Sequence, residues 1–213
     1  MLIDTAGPVV GIAAWGKRDF VASERIVAGA DGWLTPALSE ALDAAGAVDR
    51  IGVVVGPGTF TGLRVGIAHA LGLALALGVG VVPVSSLALR AAAVPGHARV
   101  LALLDARKGK VYAGWFDTRG AVPVHLGTEL DVTPDTLLSS IDSEASRGSF
   151  LTTGEGALVY SERWIGAGMV IVPDPARSPV AAGRALVDGG TIMEINYIRP
   201  VYIRDPDAKP SAV

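Results

Sequence analysis

Two aspartates stand where chemistry would be expected. Asp4 closes the apolar run Leu2-Ile3-Asp4-Thr5, and Asp105 closes the run Val100 to Leu104, each just before a short turn. A carboxylate at a strand end, beside a turn whose backbone can approach an anion, is an arrangement that organises a metal ion and water around nucleotide phosphates. Asp4, Thr5, Asp105, Arg107 and Lys108 are therefore the candidate remnant of a nucleotide site. The turns themselves are poor cradles. Gly7 is followed by Pro8, which has no N–H to donate, and the second turn reads Asp105-Ala106-Arg107-Lys108-Gly109, with bulky residues where backbone should meet phosphate. Arg107 and Lys108 could supply positive charge, but a solvated hairpin tip accounts for them more simply.

A second candidate is the run Gly56-Pro57-Gly58-Thr59-Phe60-Thr61-Gly62-Leu63-Arg64-Val65-Gly66. As a strand-to-helix loop it has the form of an anion cradle, because a helix N-terminus offers free N–H groups and the positive end of a dipole. No Gly-Lys-Ser/Thr follows, so it is not a Walker loop. Thr59 or Thr61 would cap the helix. Beyond the loop, Gly62, Gly66, Ala70, Ala74 and Gly78 recur every four residues, a stripe small enough for another helix to approach closely, and Leu63, Ile67, Leu71 and Leu75 form a large apolar stripe beside it. A helix apolar on so many sides must be covered on as many, either within this chain or by a second subunit.

Other constellations are thin. His69, His97 and His125 lack metal-ligand spacing, and no metal site is expected. There is no His-Glu-x-x-His, no nucleophile elbow and no cysteine, which removes disulfides, thiolate nucleophiles and Cys-based metal sites and fits a reducing cytoplasm. Thr153-Gly154-Glu155-Gly156 follows a strand and could form a ligand loop, but a plain strand-to-helix turn accounts for it more simply. With 18 Lys and Arg against 21 Asp and Glu, the 213-residue chain carries a net charge of −3, a poor basis for holding RNA or an anionic membrane unaided. Val65 to Leu89 has no charged residue, long enough for a membrane span, but Gly78, Gly80 and Pro83 interrupt it, so it reads as a helix followed by a buried strand. Met1-Leu2-Ile3-Asp4 does not resemble the start of a secretory signal.

The elements that would position these residues come in two similar sets. The first is strands Leu2 to Thr5, Val9 to Trp15 and Phe20 to Ser23, then a helix bearing Trp33, Leu34, Ala37, Leu38, Ala41, Leu42 and Ala45 on one face and ending at Gly46. A buried strand Ile51 to Val55, the long helix to Leu77, a strand to Val84 and a helix from Ser85 complete it. The second set is strands Val100 to Leu104, Val111 to Phe116 and Ala121 to Leu126, a helix from Pro134, a strand Phe150 to Thr153, a helix from Ala157, a strand Met169 to Val172 and a helix Val180 to Val187. Three antiparallel strands feeding parallel strand–helix units, written twice, predict an α/β chain with the duplicated ribonuclease-H-like architecture of the actin, Hsp70 and sugar-kinase group. Its two lobes would be residues 1–97, carrying the long helix, and 98–213, with a tail that packs back on the first lobe. Such a fold does not by itself give a function.

The Gly56-to-Gly66 run, Leu104-Asp105-Ala106-Arg107-Lys108-Gly109-Lys110-Val111-Tyr112 and Pro200-Val201-Tyr202-Ile203-Arg204-Asp205-Pro206-Asp207-Ala208-Lys209 together resemble the bacterial TsaB (YeaZ) family over roughly half the chain. The resemblance implies a cytoplasmic, non-catalytic partner of TsaD in making threonylcarbamoyladenosine beside the tRNA anticodon, with the ATPase TsaE as third component. It implies a homodimer when the chain is alone, and tRNA contact only through the complex. No cofactor would be required by the chain itself, with ATP and Mg2+ bound by the assembly. The interface would lie on the first-lobe helices, at Leu34, Leu38, Leu42, Thr59, Phe60, Thr61, Leu63, Arg64, Gly66, Ile67, Ala70 and Leu71; Gly66→Leu or Ala70→Trp would then block association and leave the chain folded. Where relatives commonly carry His-Ser-Glu before the first helix, this chain reads Ala30-Asp31-Gly32-Trp33-Leu34, in which Asp31 can cap. The rival readings are a small-molecule kinase or ATPase of the same fold, using Asp4 and Asp105 around magnesium, and a peptidase, for which no nucleophile–base pair can be assembled.

Overall fold

The computed structural model describes residues 1–26, 31–141, 150–172 and 179–203. The first set of elements is β1 (Leu2–Asp4), β2 (Val9–Ala14), β3 (Phe20–Arg25), α1 (Asp31–Ala45), β4 (Arg50–Gly56), α2 (Phe60–Leu77), β5 (Gly80–Ser85) and α3 (Ser86–Ala92). The second is β6 (Val100–Arg107), β7 (Lys110–Asp117), β8 (Val124–His125), β9 (Leu130–Val132), α4 (Pro134–Ser140), β10 (Leu151–Thr153), α5 (Glu155–Val159), α6 (Ser161–Gly166) and β11 (Val170–Ile171). A 3-10 turn, Pro179–Gly183, leads into α7 (Arg184–Asp188), and a second, Ile195–Tyr197, precedes the last described residues.

The sheets repeat one topology. In the first, ordered β3-β2-β1-β4-β5, β1 is central, antiparallel to β2 and parallel to β4. In the second, ordered β11-β10-β6-β7-β8, β6 holds the same position, antiparallel to β7 and parallel to β10. The expected two-lobe, actin-like architecture is therefore the observed one. One expected strand differs: Ala121 to Leu126 pairs only at β8, and β9 completes the edge of β7 by pairing at Val111 to Ala113. Pro123 cannot donate to a ladder, and Gly127, at φ 109°, turns the chain back toward β7. The helix expected from Ala157 begins at Glu155 and breaks at Tyr160, and the one expected over Val180 to Val187 is half 3-10.

Strand alternation sorts the first lobe's core into two layers. Ile3, Ile12 and Val53 face α1 and α2, meeting Leu34, Leu38, Ala41, Ile67 and Ala70, whereas Leu2, Ala13 and Val54 face Val180 and Val187, where the chain returns to the first sheet. In the second lobe, Leu101, Leu103, Val111 and Ala113 meet Leu137, Ala157 and Trp164, and Val100, Ala102, Leu104 and Phe116 meet α3. Helix α3 lies between the lobes. Leu87, Ala88 and Ala91 pack on the second sheet, while Leu89 packs in the layer under the first. All of Ser86 to Ala91 is consequently buried, Arg90 included.

Candidate functional site

An arginine in a helix covered from both sides must find its counter-charges inside the protein. Arg90, 2% exposed, does so across the lobes. Its Nη1 donates to Asp4 Oδ2 at 2.8 Å, at the end of β1, and its Nη2 and Nε donate to Glu155 Oε1 and Oε2 at 2.7 and 3.0 Å, in the first turn of α5. The second Asp4 oxygen accepts from the Ala6 N–H at 2.9 Å. Burial would push the Arg90 guanidinium down, but Asp4 and Glu155 hold it further up, fully charged. Burial moves Asp4 above the ordinary carboxylate range against the pull of Arg90, whereas at Glu155 burial is outweighed by Arg90 and the carboxyl lies below its usual value. Gly7 and Gly154 flank the triad: a Cβ on Gly7 would lie 2.9 Å from Glu155 Oε1, and one on Gly154 would lie 2.3 Å from the Leu103 carbonyl.

The groups expected to hold nucleotide are engaged elsewhere. Thr5 is buried and its hydroxyl donates to the Gly62 carbonyl at 2.7 Å, tying β1 to the first turn of α2. Asp105 accepts from the Arg107 N–H at 3.0 Å, lies 3.4 Å from the Arg107 guanidinium and receives the Tyr160 hydroxyl at 3.5 Å. Arg107 and Lys108 take left-handed conformations, φ 60° and 53°, at an exposed hairpin tip. Asp4 and Asp105 thus share no ligand-facing pair, and the residues present do not fit a magnesium–nucleotide group: Arg90 stands at the Asp4 carboxylate where the cation would be.

The Gly56-to-Gly66 loop, read as an anion cradle, packs against the first hairpin and β1. The Thr59 N–H donates to the Ala6 carbonyl at 2.8 Å, and Thr59, at the cap position of α2, makes no side-chain capping bond. The glycines serve packing against β1: a Cβ on Gly62 would lie 2.1 Å from the Thr5 carbonyl and one on Gly66 would lie 2.2 Å from Thr5 Oγ1. The small-residue stripe of α2 therefore faces this chain's own sheet, with Ala70 and Ala74 in the core beside it. Of the residues expected at an interface, Leu34, Leu63, Gly66, Ile67 and Ala70 are consumed by that core and present nothing to a partner. Bulky groups at Gly66 or Ala70 would disrupt the fold, not an interface alone. The capping role expected of Asp31 concerns a side chain outside the described residues, as do Arg204 to Lys209 of the tail.

What remains exposed is a different face of the same helices. Five of the 18 residues of α2 are buried, 28% of its length. Phe60 is 44% exposed, Leu75 66% and Leu77 43%, and Thr61 and Arg64 are open to solvent. Arg64 lies 3.6 Å above the Phe60 ring and donates to the Tyr202 hydroxyl at 3.3 Å, while Phe60 and Tyr202 stack at 5.4 Å, so the Gly56 loop and the closing segment meet at the start of α2. Between α1 and α2 runs an apolar groove of about 580 Å³, lined by Leu38, Leu42 and Leu73 and by Thr35, Ser39, Ala68, His69, Gly72 and Ala76. Leu38 and Leu42, two of the residues expected at an interface, line this groove, and Leu71 is half-buried outside its lining. The sequence reading missed Arg90, Glu155 and the outward residues Ala68, Gly72 and Ala76. The signals were there: Arg90 is the charge that ends the uncharged run from Val65, inside an apolar helix.

The chain is similar to the family described as TsaD, tRNA N6-adenosine threonylcarbamoyltransferase, over residues 22–140, more than half its length. It is 26% identical to the tRNA threonylcarbamoyladenosine biosynthesis protein TsaB of Escherichia coli, across 96% of this chain and 94% of that protein. It is 44% identical to Haemophilus influenzae TsaB over 68 residues, 30% of this chain and 29% of that one. YeaZ from Pseudomonas aeruginosa superposes with a TM-score of 0.74 at 29% identity, over 95% of this chain and 98% of that one. With the duplicated sheets, the Gly56-to-Gly66 loop packed on β1 and full-length likeness in both sequence and structure, the chain belongs to the TsaB (YeaZ) family of tRNA threonylcarbamoyladenosine biosynthesis.

Proposed function

We propose that this chain is a non-catalytic accessory subunit that binds and activates TsaD for threonylcarbamoyl transfer to the tRNA adenosine beside the anticodon. The observation that supports this reading is the α1–α2 face: an apolar helix of 18 residues, less than a third of it buried, beside an apolar groove. Exposed apolar surface of that extent marks a binding site for another protein. TsaD is the partner, TsaE joins as the third component, and in the absence of TsaD the same face pairs two copies of the chain. ATP and Mg2+ would be bound by the assembly, a reading supported by the Arg90 guanidinium at the Asp4 carboxylate that would hold a metal here. The net charge of −3 favours tRNA contacts made chiefly by the partner, and the complex would work in the cytoplasm. A kinase or ATPase reading needs Asp4 free for a cation, and a peptidase reading needs a nucleophile–base pair; neither has support in the geometry.

The test is size-exclusion chromatography with light scattering of the chain mixed with its cognate TsaD. A stable complex of one chain with one TsaD is expected. Two species that elute independently at micromolar concentration would overturn the reading.

A further inference from the structure

Two lobes that hold a cation and phosphate between them can close when the ligand binds and open when it leaves. The groups that would make that cycle possible here are joined to one another instead. Arg90 Nη1 meets Asp4 at the end of β1, and the Arg90 fork meets Glu155 at the start of α5 in a bidentate pair, the geometry in which a guanidinium most strongly fixes a carboxylate. The first hairpin turn lies against this pair closely enough that a Cβ on Gly7 would stand 2.9 Å from Glu155 Oε1 and 3.5 Å from Arg90 Nη2. A further bond links the same helix to the Gly56 loop, since the Ser86 hydroxyl donates to the Pro57 carbonyl. The helix that carries Arg90 is held by both sheets, through Leu87, Ala88 and Ala91 on one side and Leu89 on the other.

We propose that Arg90 is a covalently tethered replacement for a cation between the lobes: it locks them in one arrangement, so that this chain has no nucleotide-driven opening and closing of its own. The single positive charge sits between two carboxylates, as a metal would, but it cannot dissociate. A diffusing ligand is exchanged, whereas a side chain of a buried helix is not. The lock keeps the first-lobe helices in one orientation with respect to the second lobe whether or not ATP is present. This inference does not depend on which protein the α1–α2 face binds.

Hydrogen exchange on the full-length chain tests it. Wild type is compared with and without saturating Mg2+-ATP, and with Glu155→Gln and Arg90→Lys. Glu155 keeps some solvent contact, so glutamine there preserves the fold while losing the charge, and lysine at 90 keeps the charge while losing the fork. In wild type, amides of Asp4 to Gly7 and Gly154 to Gly156 are expected to exchange slowly and identically with and without Mg2+-ATP. In Glu155→Gln both segments should exchange faster together, by about tenfold or more, with the amides of β2 and β3 unchanged, and Arg90→Lys should fall in between. Protection of these segments by Mg2+-ATP in wild type would overturn the proposal. So would unchanged exchange in Glu155→Gln, or a rise spread evenly over the chain, which would mark Arg90 as a plain stability contact.

Discussion

Arg90 and Asp4, 86 positions apart, form a fully buried ion pair at 2.8 Å, and neither side chain is more than 2% exposed. A buried charge with its partner deleted is far more costly than a pair never formed, because the survivor keeps its desolvation penalty. Arg90→Met leaves Asp4 and Glu155 facing each other without a cation. It is expected to lower unfolding free energy by about 3 to 5 kcal/mol in urea titrations. Asp4→Asn/Arg90→Met, which removes the buried charges at both ends of the pair, should recover part of that loss, a coupling readable from the double-mutant cycle.

The triad also sets an acid limb. Glu155 titrates below its ordinary value of 4.5 in the folded chain, so its contribution is complete above that pH and is lost as pH falls through the folded value. Asp4 has the opposite sign. Its folded value is raised above 3.8, so its protonation favours the fold at low pH and that favour is lost as pH rises through the raised value. Urea midpoints of wild type and Glu155→Gln, measured from about pH 7 down to about pH 3, should therefore differ most at neutral pH and converge on acidification. A gap that widens toward acid would contradict the assignment of Glu155 as the ionised partner.

Gly66 lies under Thr5, where a Cβ would stand 2.2 Å from the hydroxyl oxygen that donates to the Gly62 carbonyl. Gly66→Ala is expected to destabilise by about 1 to 3 kcal/mol through overpacking. Thr5→Ala should cost about 1 kcal/mol for the lost hydrogen bond. With the hydroxyl gone the obstruction shrinks, so the double variant should be more stable than the sum of the two losses implies, which thermal or urea unfolding of all four proteins would read.

The duplication was legible in the sequence because each apolar strand and its turn left a local pattern, and β1, β2, β4 and α2, with β6, β7 and β10 in the second lobe, fall where that pattern places them. The end of Ala121 to Leu126 as one strand was less visible, since Pro123 marks a break without saying that Leu130 to Val132 would take the vacated edge. At the site, a stripe of Gly62, Gly66, Ala70 and Ala74 specifies close approach but not the approaching element. A neighbouring helix and the chain's own β1 satisfy it equally, and only the long-range contact with Thr5 decides between them. The Arg90 triad was beyond local reading for the same reason: Asp4, Arg90 and Glu155 have no spacing in common, and their meeting depends on how α3 sits between two sheets.

The central claim, that an exposed face of α2 activates TsaD, is tested most directly at Leu75, which is 66% exposed and contributes little to the core. Leu75→Arg should leave the unfolding midpoint of the chain within about 0.5 kcal/mol of wild type, as expected of a surface change. The measurement is threonylcarbamoyladenosine formed on tRNA by TsaD and TsaE with ATP and an activated threonylcarbamoyl donor, as the concentration of this chain is raised. Synthesis that depends on the wild-type chain and falls at least tenfold with Leu75→Arg is the predicted result. Synthesis that proceeds equally without the chain, or equally with the arginine variant, would contradict the account.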